Sequence, residues 1–81
     1  MIDLNTLEER IHLLLENIAL QGFEVLNEST FEDMGIDSLE KVEFCMDLED
    51  EFNIDIPDEV MEYLESVEEV IEYISKRLGT N

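Results

Sequence analysis

Apolar residues recur every three or four positions in four segments of the chain, and this spacing predicts amphipathic helices. The first predicted helix runs from about Leu4 to Leu20. Its apolar positions are Leu4, Leu7, Ile11, Leu14, Leu15 and Ile18. Two caps are candidates for its start, a capping box of Thr6 with Glu9 or a single cap by Asp3. Gly22 follows at a position typical of a helix end.

A loop over residues 22–37 separates the first helix from the second. Its apolar residues show no regular period, and we expect a few of them to hold the loop against the core. These residues are Phe23, Val25, Leu26, Phe31, Met34 and Ile36. The second helix begins at Asp37 or Ser38, because Asp37 and Glu40 have the capping-box spacing, and it ends near Phe52.

A short third helix and a longer fourth helix complete the set. The short helix begins near Pro57, a residue suited to a first helical turn, and ends at about Leu64. Ser66 and Glu69 form the capping box of the last helix, which ends at Gly79. The pattern predicts an all-α fold, a small antiparallel four-helix bundle with three longer helices and one short helix.

Composition adds that the chain is strongly acidic, with 23 Asp and Glu against four Lys and Arg and a formal net charge of −19. This charge repels phosphate backbones and anionic lipids, so we expect no binding to nucleic acid or to membranes. Hydrophobic residues make up 44% of the 81 positions, enough for the core of a single domain over residues 1–81. We expect this domain to be a monomer.

The sequence shows few features that indicate a cellular compartment. The first residues show no basic segment followed by an apolar run, as a signal peptide would, and no apolar stretch approaches the roughly 18 residues of a membrane span. The lone cysteine, Cys45, excludes an internal disulfide. A cytoplasmic location is therefore expected.

The second helix has two apolar faces on a helical wheel. The core stripe consists of Phe44, Cys45, Leu48 and Phe52. The other face consists of Leu39, Val42 and Met46, beside the carboxylates of Glu43, Asp47 and Asp50. Two interpretations stay open at this point: the second face packs inside against the loop, or it is an exposed strip that docks on a basic, partly apolar groove.

Ser38 stands at the start of this helix, where free amide hydrogens and the helix dipole favour an anion such as a phosphodiester. A serine in this place can also be a simple N-cap. The segment Phe31-Glu32-Asp33-Met34-Gly35-Ile36-Asp37-Ser38-Leu39 resembles the signature of acyl carrier proteins, whose central element is D-S-L. The resemblance continues through Glu40, Val42, Glu43, Met46, Leu48, Glu49, Glu51, Phe52, Ile56-Pro57-Asp58-Glu59, Val67, Ile71, Tyr73 and Ile74.

The resemblance implies a discrete acyl carrier protein, which is not itself an enzyme. A phosphopantetheinyl transferase would esterify Ser38, between Asp37 and Leu39, with 4′-phosphopantetheine from coenzyme A. The arm would carry acyl groups as thioesters for fatty-acid, polyketide or related lipid biosynthesis. Acyl-processing enzymes with basic patches would dock on Leu39, Glu40, Val42, Glu43, Met46 and Asp47, with Glu49 as a further candidate. An acyl chain would be sheltered by Phe44, Cys45, Met61, Leu64, Val67 and Ile71, residues that alternatively form an ordinary core.

Three departures from the family pattern favour a specialised carrier. The segment from Phe31 to Gly35 is one residue short, Lys41 replaces a frequent threonine, and Phe44 and Cys45 replace smaller aliphatic residues. The alternative function is a non-covalent acidic helical adaptor that binds basic partner proteins.

The many carboxylates do not predict a metal site. The acidic stretch 47–59 lacks the glycine and the spacing of an EF-hand loop. His12 and Cys45 are the only good nitrogen and sulfur ligands, too few for zinc. They could formally form a nucleophilic pair, but Cys45 lies on the core stripe. Ser38 lacks an evident general base, so we expect no catalytic residues.

The acidic composition generates a first testable prediction. Adding monovalent salt or millimolar Mg²⁺ raises the melting temperature, because screening reduces repulsion among the carboxylates. Thermal unfolding followed by circular dichroism at increasing salt measures the effect. A melting temperature that does not respond would mean that the acids lie too far apart to destabilise the fold.

Overall fold

Four helices form the fold in the computed structural model, which describes residues 3–79. They are α1 (Leu4–Glu16), α2 (Ser38–Phe52), α3 (Asp58–Tyr63) and α4 (Val67–Leu78). Within the described residues no strand is present, only an isolated antiparallel bridge between Thr30 and Ser66. The predicted all-α fold with three longer helices and one short helix is confirmed. Residues 1–2 and 80–81, the ends of the predicted domain, lie outside the described residues.

Helix α1 ends at Glu16 and not near Leu20, so the predicted helix was about one turn too long. The amide of Ala19 still donates to the carbonyl oxygen of Leu15 at 2.8 Å. The amide of Leu20, in contrast, donates to the carbonyl oxygen of Met34 in the loop at 3.0 Å. The loop therefore takes the hydrogen bond that another turn of helix would have used.

Asp3 caps the start of α1. Its Oδ1 accepts a hydrogen bond from the amide of Thr6 at 2.8 Å. This bond lowers the pKa of the Asp3 carboxyl, because it stabilises the charged form. Of the two candidate caps, the single acidic cap is confirmed and the capping box of Thr6 with Glu9 is wrong.

The other predicted helix starts are confirmed in detail. Asp37 Oδ1 accepts from the amide of Glu40 at 2.8 Å, and Glu40 Oε1 accepts from the amide of Asp37 at 3.2 Å. Ser66 and Glu69 make the same reciprocal pair at the start of α4. Both are complete capping boxes, in which two otherwise unpaired amides find partners.

One core cluster draws on all four helices and on the loop between α1 and α2. The loop contributes Val25, Phe31, Met34 and Ile36, all buried, which confirms that apolar side chains hold it against the core. The Phe31 ring packs against Phe44 of α2, with ring centroids 6.0 Å apart. The remaining core residues are Leu7, Ile11, Leu15, Cys45, Leu48, Ile56, Met61, Leu64, Val67, Val70, Ile71 and Ile74.

The loop is also hydrogen-bonded to the start of α4. The amides of Val67 and Glu68 donate to the carbonyl oxygens of Ser29 and Asn27, at 3.0 and 2.8 Å. These are first-turn amides, which have no partner inside their own helix. Each side therefore satisfies the other, and the loop is held in place at its centre.

Polar side chains add links between distant segments. Arg10 of α1 forms a salt bridge with Glu51 of α2 at 2.6 Å. His12 Nε2 lies 2.7 Å from Asn27 Oδ1 in the loop. Because both contacts start from α1, they orient this helix against the rest of the bundle.

Gly35 has a left-handed backbone with φ of 73°, and it generates a stability prediction. A Cβ added there would lie 2.6 Å from Leu20 Cγ, whereas a Cβ on Gly22, with φ of 82°, meets nothing within 4 Å. Gly22→Ala should lower the free energy of unfolding by about 1 kcal/mol from backbone strain alone. Gly35→Ala should lower it further, because Leu20 must also move.

Urea unfolding of both variants tests this pair, with Gly22→Ala as the matched control for backbone strain. Equal losses in the two variants would show that the exposed Leu20 side chain moves away at no measurable cost.

Candidate functional site

Ser38 is exposed at the first position of α2. The capping position belongs to Asp37, whose carboxylate accepts from the amide of Glu40. Within residues 3–79 the Ser38 hydroxyl has no hydrogen-bond partner. The interpretation of Ser38 as a simple N-cap is therefore wrong, and its hydroxyl is free to react with another molecule.

The turn before Ser38 determines where that hydroxyl stands. Thr30 and Asp33 exchange hydrogen bonds, since the amide of each one meets the side-chain oxygen of the other at 3.4 and 3.0 Å. The amide of Ile36 donates to the carbonyl oxygen of Phe31 at 2.9 Å, and both side chains are buried. The chain therefore leaves the core after Ile36, and both Asp37 and Ser38 are exposed.

Two open grooves meet at Ser38. One, of about 550 Å³, lies between the loop and α2 and includes Phe31, Ile36 and Glu65. The other, of about 430 Å³, lies between α2 and α3 and includes Val42, Asp58, Met61 and Glu62. Ser38 and Lys41 line both grooves. A flexible group attached to the Ser38 oxygen would have these two grooves as its nearest surroundings.

Lys41 lies one turn after Ser38, and its ammonium group is not free in solvent. Nζ donates to the carbonyl oxygen of Leu64 at 2.9 Å and to that of Glu62 at 3.4 Å. It also lies 5.6 Å from the ring centroid of Phe31. Sequence reasoning noticed Lys41 as a departure but missed these contacts. The available signal was a cation on the core side of an otherwise acidic helix.

The second apolar face of α2 is exposed. Leu39, Val42 and Met46 have 69, 37 and 54% of their surface accessible, so the interpretation that this face packs against the loop is wrong. The carboxylates of Glu43 and Asp47 are exposed beside it, and Glu40 is half-buried. We call the six residues Leu39, Glu40, Val42, Glu43, Met46 and Asp47 the α2 strip.

Glu49 shows that not every acid of α2 belongs to such a surface. Its Oε2 accepts a hydrogen bond from the amide of Ile56 at 2.8 Å, and the side chain is half-buried. Glu49 therefore holds the connection between α2 and α3.

The residues predicted to shelter an acyl chain are all buried in the common core. They come from α2, from α3 with its following residue, and from α4: Phe44, Cys45, Met61, Leu64, Val67 and Ile71. Met61 also lines the groove between α2 and α3. Their role as a lining stays a prediction.

Cys45 has the properties of a core residue. Burial raises the pKa of its thiol to about 11, against the opposing charge of Lys41. The thiol is therefore protonated at neutral pH and a poor nucleophile. His12, the other member of the formally possible nucleophilic pair, is hydrogen-bonded to Asn27.

Residues 3–79 contain neither a metal-binding cluster nor a membrane-spanning helix. No group of three or more His, Cys, Asp or Glu side chains is arranged to hold a metal ion. No helix in this part of the chain is long and apolar enough to cross a membrane.

Comparisons with known proteins agree with this geometry. The family described as "Phosphopantetheine attachment site" matches residues 5–74, which is most of the chain. The crystal structure of a Toxoplasma-specific mitochondrial acyl carrier protein superposes with a TM-score of 0.85 at 25% sequence identity. The match covers 98% of this chain and 94% of that chain. The family domain is the site of covalent attachment of 4′-phosphopantetheine, and an exposed, unbonded serine at a helix start suits that attachment. The chain therefore belongs to the phosphopantetheine attachment site family and has the fold of an acyl carrier protein.

Proposed function

We propose that residues 1–81 form a single acyl-carrier domain in which Ser38 carries the 4′-phosphopantetheine arm. The observation that carries this proposal is the free, exposed hydroxyl of Ser38, left available because Asp37 caps the helix. When bound, the group supplies a terminal thiol that holds acyl groups as thioesters. The fatty-acid, polyketide or related lipid pathway is our proposal for the use of those groups.

The residues of this chain position the serine and do not activate it. Within residues 3–79 no basic side chain is hydrogen-bonded to the Ser38 hydroxyl, so a transferase must remove its proton. The capping box of Asp37 and Glu40 holds the first turn of α2 in shape. We therefore propose a carrier without catalytic activity of its own.

We propose the α2 strip as the docking surface for the transferase and for acyl-processing enzymes. Burial of its exposed apolar side chains would stabilise a complex, and its carboxylates attract Lys and Arg from a distance. Charge then determines how fast partners meet, while the apolar contacts determine how long they stay bound.

The departures from the family pattern support a specialised carrier. Phe44 and Cys45 fill the core stripe with a bulky ring and a thiol, and Lys41 occupies the space beside Ser38. We propose the cytoplasm as the location, since a single cysteine does not fit a disulfide-stapled secreted domain. The superposed Toxoplasma protein is described as mitochondrial.

The Ser38→Ala variant tests the attachment site. Wild-type protein incubated with coenzyme A, Mg²⁺ and a broad-specificity phosphopantetheinyl transferase should gain the mass of one phosphopantetheine, and Ser38→Ala should gain none. Its free energy of unfolding should change by less than about 0.5 kcal/mol, because the lost hydroxyl is exposed and unbonded. Intact-mass spectrometry and urea unfolding measure both outcomes.

Ser75→Ala is the matched control, since it removes a hydroxyl from α4 and should still be loaded. Loading of Ser38→Ala would show that the site is wrong. If wild-type protein stays unmodified while a known carrier is loaded beside it, and protein purified from its native host also lacks the arm, the non-covalent adaptor is the better function.

Charge reversal tests the docking surface. Glu43→Lys combined with Asp47→Lys should lower kcat/KM for transfer by roughly tenfold, because two attractive contacts become repulsive. Glu9→Lys combined with Glu16→Lys is the control, which makes the same change of net charge on exposed positions of α1. Equal rates for the two double variants would place docking elsewhere on the protein.

A further inference from the structure

The groove between α2 and α3 extends from the attachment serine to a side chain of the core. Ser38 lines it on the surface side, and Met61, only 5% exposed and part of the core cluster, lines it on the inner side. Leaving water lowers the free energy of an apolar chain tethered at Ser38, so this groove offers the chain a route inward.

Lys41 crosses this groove. Its side chain starts from α2, lines the groove, and ends on the carbonyl oxygens of Leu64 and Glu62 at the end of α3. These carbonyls lie where a helix leaves its last oxygens without internal partners, and a cation suits that end of the dipole. The ammonium also lies over the Phe31 ring. Lys41 thus links α2, α3 and the loop at one point.

Lys41 therefore stands in the way of an apolar chain that enters the core by this groove. Moving the ammonium leaves two carbonyl oxygens without this donor and takes the charge away from the ring. The aliphatic part of Lys41 meanwhile fills space that the chain would need. The same side chain therefore opposes entry both by its hydrogen bonds and by its volume.

We propose that Lys41 is a gate residue that keeps the acyl cargo of this carrier outside the bundle. The proposal rests on the proposed function, since it assumes cargo attached at Ser38. It assigns Lys41 a specificity role: cargo stays exposed to partner enzymes and is not stored in the core. The residues predicted to shelter an acyl chain would then form an ordinary core, which was the alternative for them.

The test compares octanoyl forms of wild type, Lys41→Leu and Lys41→Arg, each loaded from octanoyl-coenzyme A by the transferase. Lys41→Leu removes the ammonium and keeps an apolar side chain, whereas Lys41→Arg keeps a cation. One readout is the ¹³C-methyl NMR signal of Met61, with that of the exposed Met46 as internal control. The other is the rate at which hydroxylamine cleaves the thioester.

In wild type and Lys41→Arg, octanoylation should leave the Met61 signal at its position in the unacylated, arm-bearing form. In Lys41→Leu it should shift that signal and slow cleavage by about tenfold, the factor that burial of about two methylene groups provides. Lys41→Thr serves as a second variant in case Lys41→Leu does not fold.

Three results would overturn the gate. The first is a Met61 shift and slow cleavage in octanoylated wild type, which would show that the chain enters past Lys41. The second is a folded Lys41→Leu or Lys41→Thr that behaves like wild type, which would show that something else excludes the chain. The third is failure to load any variant, which defeats the carrier function itself and is recognised separately by intact mass.

Discussion

The fold depends on two hydrogen bonds that the first turn of α4 donates to the long loop. The amides of Val67 and Glu68 have no partner inside their helix, and the carbonyl oxygens of Ser29 and Asn27 in the loop accept hydrogen bonds from them. The two amides and the two carbonyl oxygens therefore satisfy one another. Since the loop is held at its centre, its two ends have little freedom, and the later end leads directly to Ser38.

At the start of α2, two neighbouring residues divide the roles: Asp37 caps the helix, and Ser38 is left for attachment. Asp37 supplies the oxygen that the first turn requires, and Glu40 completes the capping box. Had Ser38 been the cap, its hydroxyl would be tied to a backbone amide and its modification would weaken the helix. Because the neighbouring acid does this work, Ser38 can be modified without loss of a structural contact.

Sequence patterns predicted most of this fold because they record local preferences. The capping boxes of α2 and α4 and the core stripe of α2 follow from spacing alone. The end of α1 could not be predicted in this way, since it depends on a bond from Leu20 to Met34, residues distant in sequence. The contacts of Lys41 with Leu64 are equally non-local. The wheel separated the two apolar faces of α2, but only the packing showed that one is exposed.

Three of the four Lys and Arg residues of this acidic chain have partners within the protein. Arg10 pairs with Glu51, Lys76 with Glu72, and Lys41 with carbonyl oxygens of α3 and its following residue. On α2 this leaves exposed carboxylates beside exposed apolar side chains, and none of the six residues of the α2 strip is a Lys or Arg. Self-repulsion costs stability, but the same field attracts basic partners at long range. The apolar residues act only at contact. The α2 strip therefore combines long-range electrostatic attraction with an apolar area for binding.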